Sequence, residues 1–238
     1  MWGDKMGEKI ILRTENLHKT YAEGTLMEVH ALRGINIKIK RGEMVAIMGP
    51  SGCGKTTLLN LLGGIDQPTQ GKIFINDQDV SELTDTEITE FRLHNIGYIF
   101  QLFNLFEFLS ALDNTVLPLL LTDTTRLEAE EEAKMLLRQM GLGDKIHHLP
   151  NELSGGEQQR VAVSRALLMN PAIILGDEPT GDLDQETSTD IMNLFVSINE
   201  NYKQTFLIVT HSEHIAQFCH RTIRIIDGEI VEYGKEGK

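Results

Sequence analysis

Several apolar runs are short and saturated. Met44-Val45-Ala46-Ile47-Met48, Ala172-Ile173-Ile174-Leu175-Gly176 and Phe206-Leu207-Ile208-Val209-Thr210 are apolar almost throughout and bounded by polar or turn-forming residues. Without alternation, and too short for an ordinary helix, they predict strands covered on both faces, as in a parallel sheet. Ile96-Gly97-Tyr98-Ile99-Phe100 predicts a further strand. Lys9-Ile10-Ile11-Leu12, Ile35-Asn36-Ile37-Lys38-Ile39 and Gly71-Lys72-Ile73-Phe74-Ile75 carry polar residues between apolar ones, and predict an antiparallel layer beside the parallel core.

Between residue 101 and residue 153 the period changes. Ala129, Ala133, Leu136, Leu137 and Met140 fall on one helical face, with Glu130 and Lys134 paired at i,i+4 on the other. Thr56-Thr57-Leu58-Leu59-Asn60-Leu61-Leu62 and Val161 to Leu168 predict further helices. There is no internal repeat or low-complexity segment, and the tail Gly234 to Lys238 reads as frayed.

The first of these helices follows Gly49-Pro50-Ser51-Gly52-Cys53-Gly54-Lys55-Thr56, which joins it to the strand Met44 to Met48. Strand, glycine-rich turn and helix is the context in which Gly-x-x-x-x-Gly-Lys-[Ser/Thr] cradles phosphate. Glycines without Cβ let the backbone aim N–H groups at an oxyanion, and the positive helix end adds attraction. Lys55 then reaches the β- and γ-phosphates of a nucleotide, Thr56 offers its hydroxyl to Mg²⁺, and Thr57 completes the binding segment. Asp177 and Glu178 follow the strand ending at Gly176, at the carboxyl edge where open α/β sheets bind ligands. Asp177 is expected to hold Mg²⁺ and Glu178 to act as the base that polarises water, with Pro179-Thr180-Gly181 turning the chain away.

Leu153-Ser154-Gly155-Gly156-Glu157-Gln158-Gln159-Arg160 makes a second anion site, an N-cap serine with two glycines opening a helix. In that string the chain resembles the ATP-binding cassette (ABC) ATPases, and the likeness runs from about Ile10 to Tyr233. The resemblance implies an α/β fold of the P-loop NTPase type, with a parallel-sheet core, an antiparallel β subdomain and an inserted α-helical subdomain at about 102–165, all within a single nucleotide-binding domain spanning 1–238. It implies that Ser154, Gly155, Gly156 and Glu157 face the γ-phosphate held by a second, head-to-tail copy, so that a two-fold dimer sandwiches two ATP molecules. Gln101 matches the position that reports on Mg²⁺ and the attacking water. Gly181-Asp182-Leu183-Asp184 matches the loop crossing the dimer interface, His211 matches the switch histidine at the γ-phosphate, and Tyr21 is placed to stack on adenine.

Composition limits the partners. A formal charge of −13 over 238 residues argues against non-specific nucleic-acid binding. No run approaches the roughly 18 apolar residues that span a bilayer, and Met1-Trp2-Gly3-Asp4-Lys5 has no apolar signal region. The resemblance implies a location in the cytoplasm, peripheral on the membrane through an integral membrane permease subunit. Cys53 and Cys219 are the only cysteines, which disfavours a disulfide framework. Cys53 beside Lys55 reads either as a small residue replacing serine or as an activated thiol whose alkylation would inhibit.

Phe100, Phe103, Phe106 and Phe108 cluster near Gln101. They read as a docking groove, with at least two packing the subdomain core; the resemblance implies that this region receives a short cytoplasmic helix of a membrane subunit. The motif neighbourhoods resemble the branch serving lipoprotein release, macrolide export and related envelope tasks, apart from Glu107, where that branch usually has proline, and Gly176, which replaces a commoner alanine. Two other readings stay open: a regulatory ATPase of the cell-division type, and a nucleotide-dependent interaction module with little hydrolysis.

Overall fold

A computed structural model describes residues 9–234; the readings made on Met1 to Lys5 and on the end of the tail lie outside the described residues. Six strands form the main sheet in the order β11-β10-β4-β9-β8-β7. Of these, β7 (Ile96–Ile99), β8 (Ile173–Asp177), β9 (Thr205–Val209), β4 (Met44–Met48) and β10 (Arg221–Ile226) run parallel, and β11 (Glu229–Tyr233) closes the edge as an antiparallel hairpin. All five residues of β4 are buried because both faces of the sheet are covered. Met44, Ala46 and Met48 enter one apolar cluster, with Phe195 and Met192 of helix α6 (Gln185–Tyr202). Val45 and Ile47 enter another, with Leu58 and Leu62 of helix α1 (Lys55–Leu62) and with the second sheet.

That second sheet is antiparallel: β1 (Ile10–Tyr21) pairs with β2 (Val29–Ile35), β3 (Lys38–Lys40) and β5 (Gln70–Ile75), and β6 (Gln78–Asp79) extends it. Two sequence expectations are corrected here. The strand expected at Ile35 to Ile39 is split, because the Thr14 hydroxyl donates to the Ile35 carbonyl and accepts from the Ile37 N–H, both at 2.9 Å, in place of a ladder. The strand expected at Lys9 to Leu12 continues to Tyr21 through register shifts, with Asn16 at φ 47°. This extension carries Tyr21 to the edge of the site.

Residues 102–165 hold α3 (Ala111–Val116), a 3-10 turn at Leu119–Leu121, α4 (Arg126–Gln139) and nearly all of α5 (Gly155–Leu167). Ala129, Ala133 and Leu137 of α4 are fully buried and Met140 nearly so, while Leu136 is partly buried. Glu130 and Lys134 lie 3.6 Å apart, although Lys134 is closer to Glu131 at 3.0 Å. Before β7 comes α2 (Asp85–Asn95), opened by a Thr84–Glu87 capping box.

Candidate nucleotide site

The turn between β4 and α1 folds as a phosphate loop because two of its glycines have no room for a side chain. A Cβ on Gly49 would stand 2.1 Å from the Ile225 carbonyl oxygen. On Gly54, at φ 102°, it would stand 2.4 Å from the Ala31 oxygen. Gly54 caps α1 without a side-chain bond, so the first N–H groups of the helix face the cleft uncapped. Lys55 is buried to 9 % exposure, and its ammonium donates to the Gly49 and Pro50 carbonyls, each at 2.8 Å.

Asp177 ends β8, in parallel register with Val209 of β9, and this puts it beside the loop. The Thr56 hydroxyl is 3.5 Å from Asp177 Oδ1. Burial pushes the Asp177 carboxyl above the usual carboxylate range; the Glu178 charge adds to the shift, and Thr56 and Lys55 oppose it. A carboxylate and a hydroxyl are hard oxygen donors of the kind Mg²⁺ takes along with waters and substrate phosphates. Among the described residues no group of three or more His, Cys, Asp or Glu could cage a metal unaided. The donor set fits a metal that arrives with a nucleotide.

Glu178 sits at φ 47°, unusual for a residue with a Cβ, and is held there because its N–H donates to the Val209 carbonyl (3.0 Å) and its own carbonyl accepts from Gly181 (2.9 Å). The turn delivers its carboxylate to His211, whose Nδ1 is 2.8 Å from Oε1. A cleft of about 660 Å³ gathers Tyr21, Ser51, Gly52, Gly54, Lys55, Thr56, Thr57, Asp177, Glu178 and His211. It also takes in His30 and Arg33 of β2 and Asp227-Gly228 of the β10–β11 hairpin, none of which the sequence reading named. No short motif marks those four; they arrive because β2 crosses the loop and Arg33 N–H bonds the Gly228 carbonyl at 2.8 Å.

The remaining positions lie elsewhere. Gly49, Pro50 and Cys53 form the loop without lining the cleft, and Cys53 is turned inward to 4 % exposure among Leu58, Val45 and Ile47. Its thiol fills the space that a Cβ on Gly49 would need, 2.7 Å away. The packing favours the small-residue alternative over the exposed, activated thiol. Gln101 is exposed in a turn, and its amide donates to Asp182 Oδ1 at 3.4 Å, outside the cleft.

Ser154, Gly155, Gly156, Glu157 and Asp184 are also absent from the cleft wall. Ser154 and Glu157 make a capping box at the start of α5. Lys145 foremost, then the Ser154 N–H, hold the Glu157 carboxyl down at about 2. Asp184 caps α6 by accepting from Thr187 N–H at 2.9 Å. The two glycines pack against the start of α6 and the loop before it: a Cβ on Gly156 would meet Thr187 Cγ2 at 2.6 Å, and one on Gly155 would meet Leu183 Cδ2 at 3.0 Å. Fully buried Gln159 then donates its amide to the Pro179 carbonyl at 2.5 Å, tying α5 to the turn that bears Glu178.

Of the phenylalanines, Phe100 stacks on Tyr98 with centroids 4.3 Å apart, and Phe103 is half-buried. Phe106 and Phe108 are exposed. None of the four lines the larger groove, about 1140 Å³, that runs between α2, β7, the 3-10 turn and α5.

Comparison with known proteins agrees with this geometry. The family profile described as ABC transporter matches residues 32–181. A lipoprotein-releasing system ATP-binding protein LolD of Syntrophus aciditrophicus is 45% identical over 222 residues, 93% of this chain and 99% of its own. The macrolide export ATP-binding/permease protein MacB of Rhodopirellula baltica is 43% identical over 93% of this chain, which spans 33% of MacB. A Methanocaldococcus jannaschii ATP-binding cassette, solved as a dimer in a post-hydrolysis state bound to ADP and Pi, superposes with a TM-score of 0.86 at 42% identity, covering 94% of this chain and 98% of that one. The chain belongs to the ABC transporter family, as an ATP-binding and ATP-hydrolysing subunit.

Proposed function

We propose that the protein works as a head-to-tail dimer in which ATP bound in the 660 Å³ cleft of one copy is completed by Ser154, Gly155, Gly156, Glu157 and Asp184 of the other. The carrying observation is the separation within one chain of two helix-start anion sites, the phosphate loop at α1 and the capped glycine pair at α5. One ATP cannot occupy both. A two-fold operation brings each loop opposite a signature helix, and the dimeric cassette from M. jannaschii supports that arrangement.

Within the cleft, the loop N–H groups and Lys55 hold the β- and γ-phosphates, and Tyr21 stacks on adenine. Thr56 and Asp177 would hold Mg²⁺, which when bound supplies charge neutralisation on the phosphates. Gln101 would join them after leaving Asp182. Glu178 accepts the proton of the attacking water, and His211 orients Glu178 and senses the γ-phosphate. Charge developing on the transferred phosphoryl group is stabilised by Lys55, the loop and the partner's signature helix, so hydrolysis requires closure. Loss of the γ-phosphate removes the contacts that select the closed state.

The closing and opening drive a membrane permease subunit in lipoprotein release, macrolide export or a related envelope task, as the names of the relatives suggest. Its cytoplasmic segment docks in the groove beside Tyr98, whose strand leads through Phe100 to Gln101. No helix among the described residues is long and apolar enough to cross a membrane; membrane contact runs through the partner, on the cytoplasmic face. Phosphate release measured against protein concentration tests the dimer: specific activity should rise with concentration, and a specific activity independent of concentration in a chain that stays monomeric would refute it.

A further inference from the structure

The Tyr21 hydroxyl is held at the end of β1. It donates to Asp66 Oδ2 at 2.9 Å. Asp66 in turn accepts from Lys19 Nζ at 2.6 Å on its other oxygen, and Lys19 donates to the Gln67 carbonyl at 2.8 Å. Lys19 lies two residues before Tyr21 on β1. Its ammonium sits over the phenol ring, 4.8 Å from the centroid, while the tyrosine as a whole is 39% exposed. One ring face is thus backed by a cation, leaving the other to receive a base.

Asp66 is itself fixed to the phosphate-binding helix. The chain leaving α1 doubles back so that the Asp66 N–H donates to the Asn60 carbonyl at 3.2 Å, and the Ile65 N–H donates to the same oxygen at 2.9 Å. Tyr21 is therefore tied through Asp66 to the end of α1, the helix that opens at Lys55 of the phosphate loop. Burial raises the Asp66 carboxyl, and the bonds from Lys19 and Tyr21 outweigh it and hold the group ionised, below the usual carboxylate range.

We propose that Asp66, braced by Lys19, is a positioning residue for the adenine platform, holding the Tyr21 ring in fixed relation to the phosphate loop so that base and phosphates are registered to one helix. The proposal rests on the reading that Tyr21 stacks on adenine. Its physical content is preorganisation. A ring already immobile before ATP arrives loses less freedom on binding, and that gain is shared by ground state and transition state. Removing the Asp66 bond should therefore raise KM and leave kcat alone.

The test is steady-state ATP hydrolysis by Asp66→Ala, Tyr21→Phe, their double variant and Tyr21→Ala. Asp66→Ala and Tyr21→Phe are each expected to raise KM by about three- to tenfold at unchanged kcat, the size of effect that loss of a single partly exposed hydrogen bond implies. The double variant should be no worse than either, since both remove one interaction. Asp66→Asn, which keeps an acceptor oxygen, should fall between and serves if the alanine variant does not fold. Multiplying KM effects in the double variant, or an unchanged KM in Asp66→Ala beside a raised KM in Tyr21→Ala, would overturn the positioning role. An unchanged KM in Tyr21→Ala would instead overturn the stacking reading beneath it.

Discussion

His211 Nδ1 stands 2.8 Å from Glu178 Oε1, joining the end of β9 to the turn after β8. The imidazole is 74% exposed and the carboxylate only 17%, so the histidine reaches toward the space a nucleotide would fill while the carboxylate stays seated. Glu178→Gln should lower phosphate release by about 10²- to 10⁴-fold, the range for loss of a positioned base. His211→Ala should lower it as well, and the double variant should match Glu178→Gln, because one residue acts through the other. Single-turnover kinetics with excess protein checks all three.

Asp177 sets binding against stability. Its carboxyl is raised by burial, so the nucleotide-free fold binds a proton there more readily than the unfolded chain does. Its contribution is therefore most favourable below the ordinary carboxylate value and is lost as pH rises through the raised one. Asp177→Asn should raise the melting temperature of the nucleotide-free protein at pH 7 and abolish the further rise on adding ATP with Mg²⁺. Thermal scans with and without ligand read both effects.

Glu157 behaves in the opposite sense. Its carboxyl is held at about 2 by Lys145 and the Ser154 N–H, against an ordinary 4.5. The stability it contributes is present above the unfolded value near 4.5 and fades as pH falls toward 2. Glu157→Gln should therefore destabilise the chain at neutral pH and flatten the part of the acid-unfolding curve that lies between those values. Denaturant midpoints measured across that pH range give the difference.

Gly156 has a packing reason to be glycine in addition to any phosphate contact. With a Cβ there only 2.6 Å from Thr187 Cγ2, Gly156→Ala should cost about 1–3 kcal/mol from overpacking. Thr187→Ser keeps the hydroxyl that bonds Asp184 and removes the methyl, so adding it should restore most of the loss. Urea midpoints of the single and double variants decide this without any nucleotide.

Both thiols should be slow to react in the folded protein. Cys53 is packed under the phosphate loop at 4% exposure, and burial pushes the Cys219 thiol up to about 12. A thiol-reactive chromophore at pH 8 should label neither within minutes in buffer and both at once in denaturant. Fast stoichiometric labelling of Cys53 in buffer would contradict the packing.

The site was legible where chemistry imposes a local string. The phosphate loop, the carboxylate pair at the end of an apolar strand and the capped glycine pair each carry their own structural context, and each lies where its string predicts. Residues brought in by tertiary folding were not legible. Arg33 and His30 reach the cleft because β2 crosses the loop, and Asp66 reaches Tyr21 because the chain reverses after α1. The Thr14 hydroxyl that splits β2 from β3 looks like any polar strand residue. Cys53 was ambiguous because neighbours in sequence gave it a cation and a helix start, while its side chain is buried within the apolar cluster that also holds Leu58, Val45 and Ile47.

Size-exclusion chromatography with light scattering on Glu178→Gln, with and without ATP and Mg²⁺, bears most directly on the two-site arrangement. A monomer without nucleotide that becomes a dimer with ATP, and returns to monomer when Ser154→Arg or Gly155→Asp blocks the signature helix, is the predicted result. A variant that binds ATP yet stays monomeric, or one whose dimer forms equally well without ATP, would contradict it.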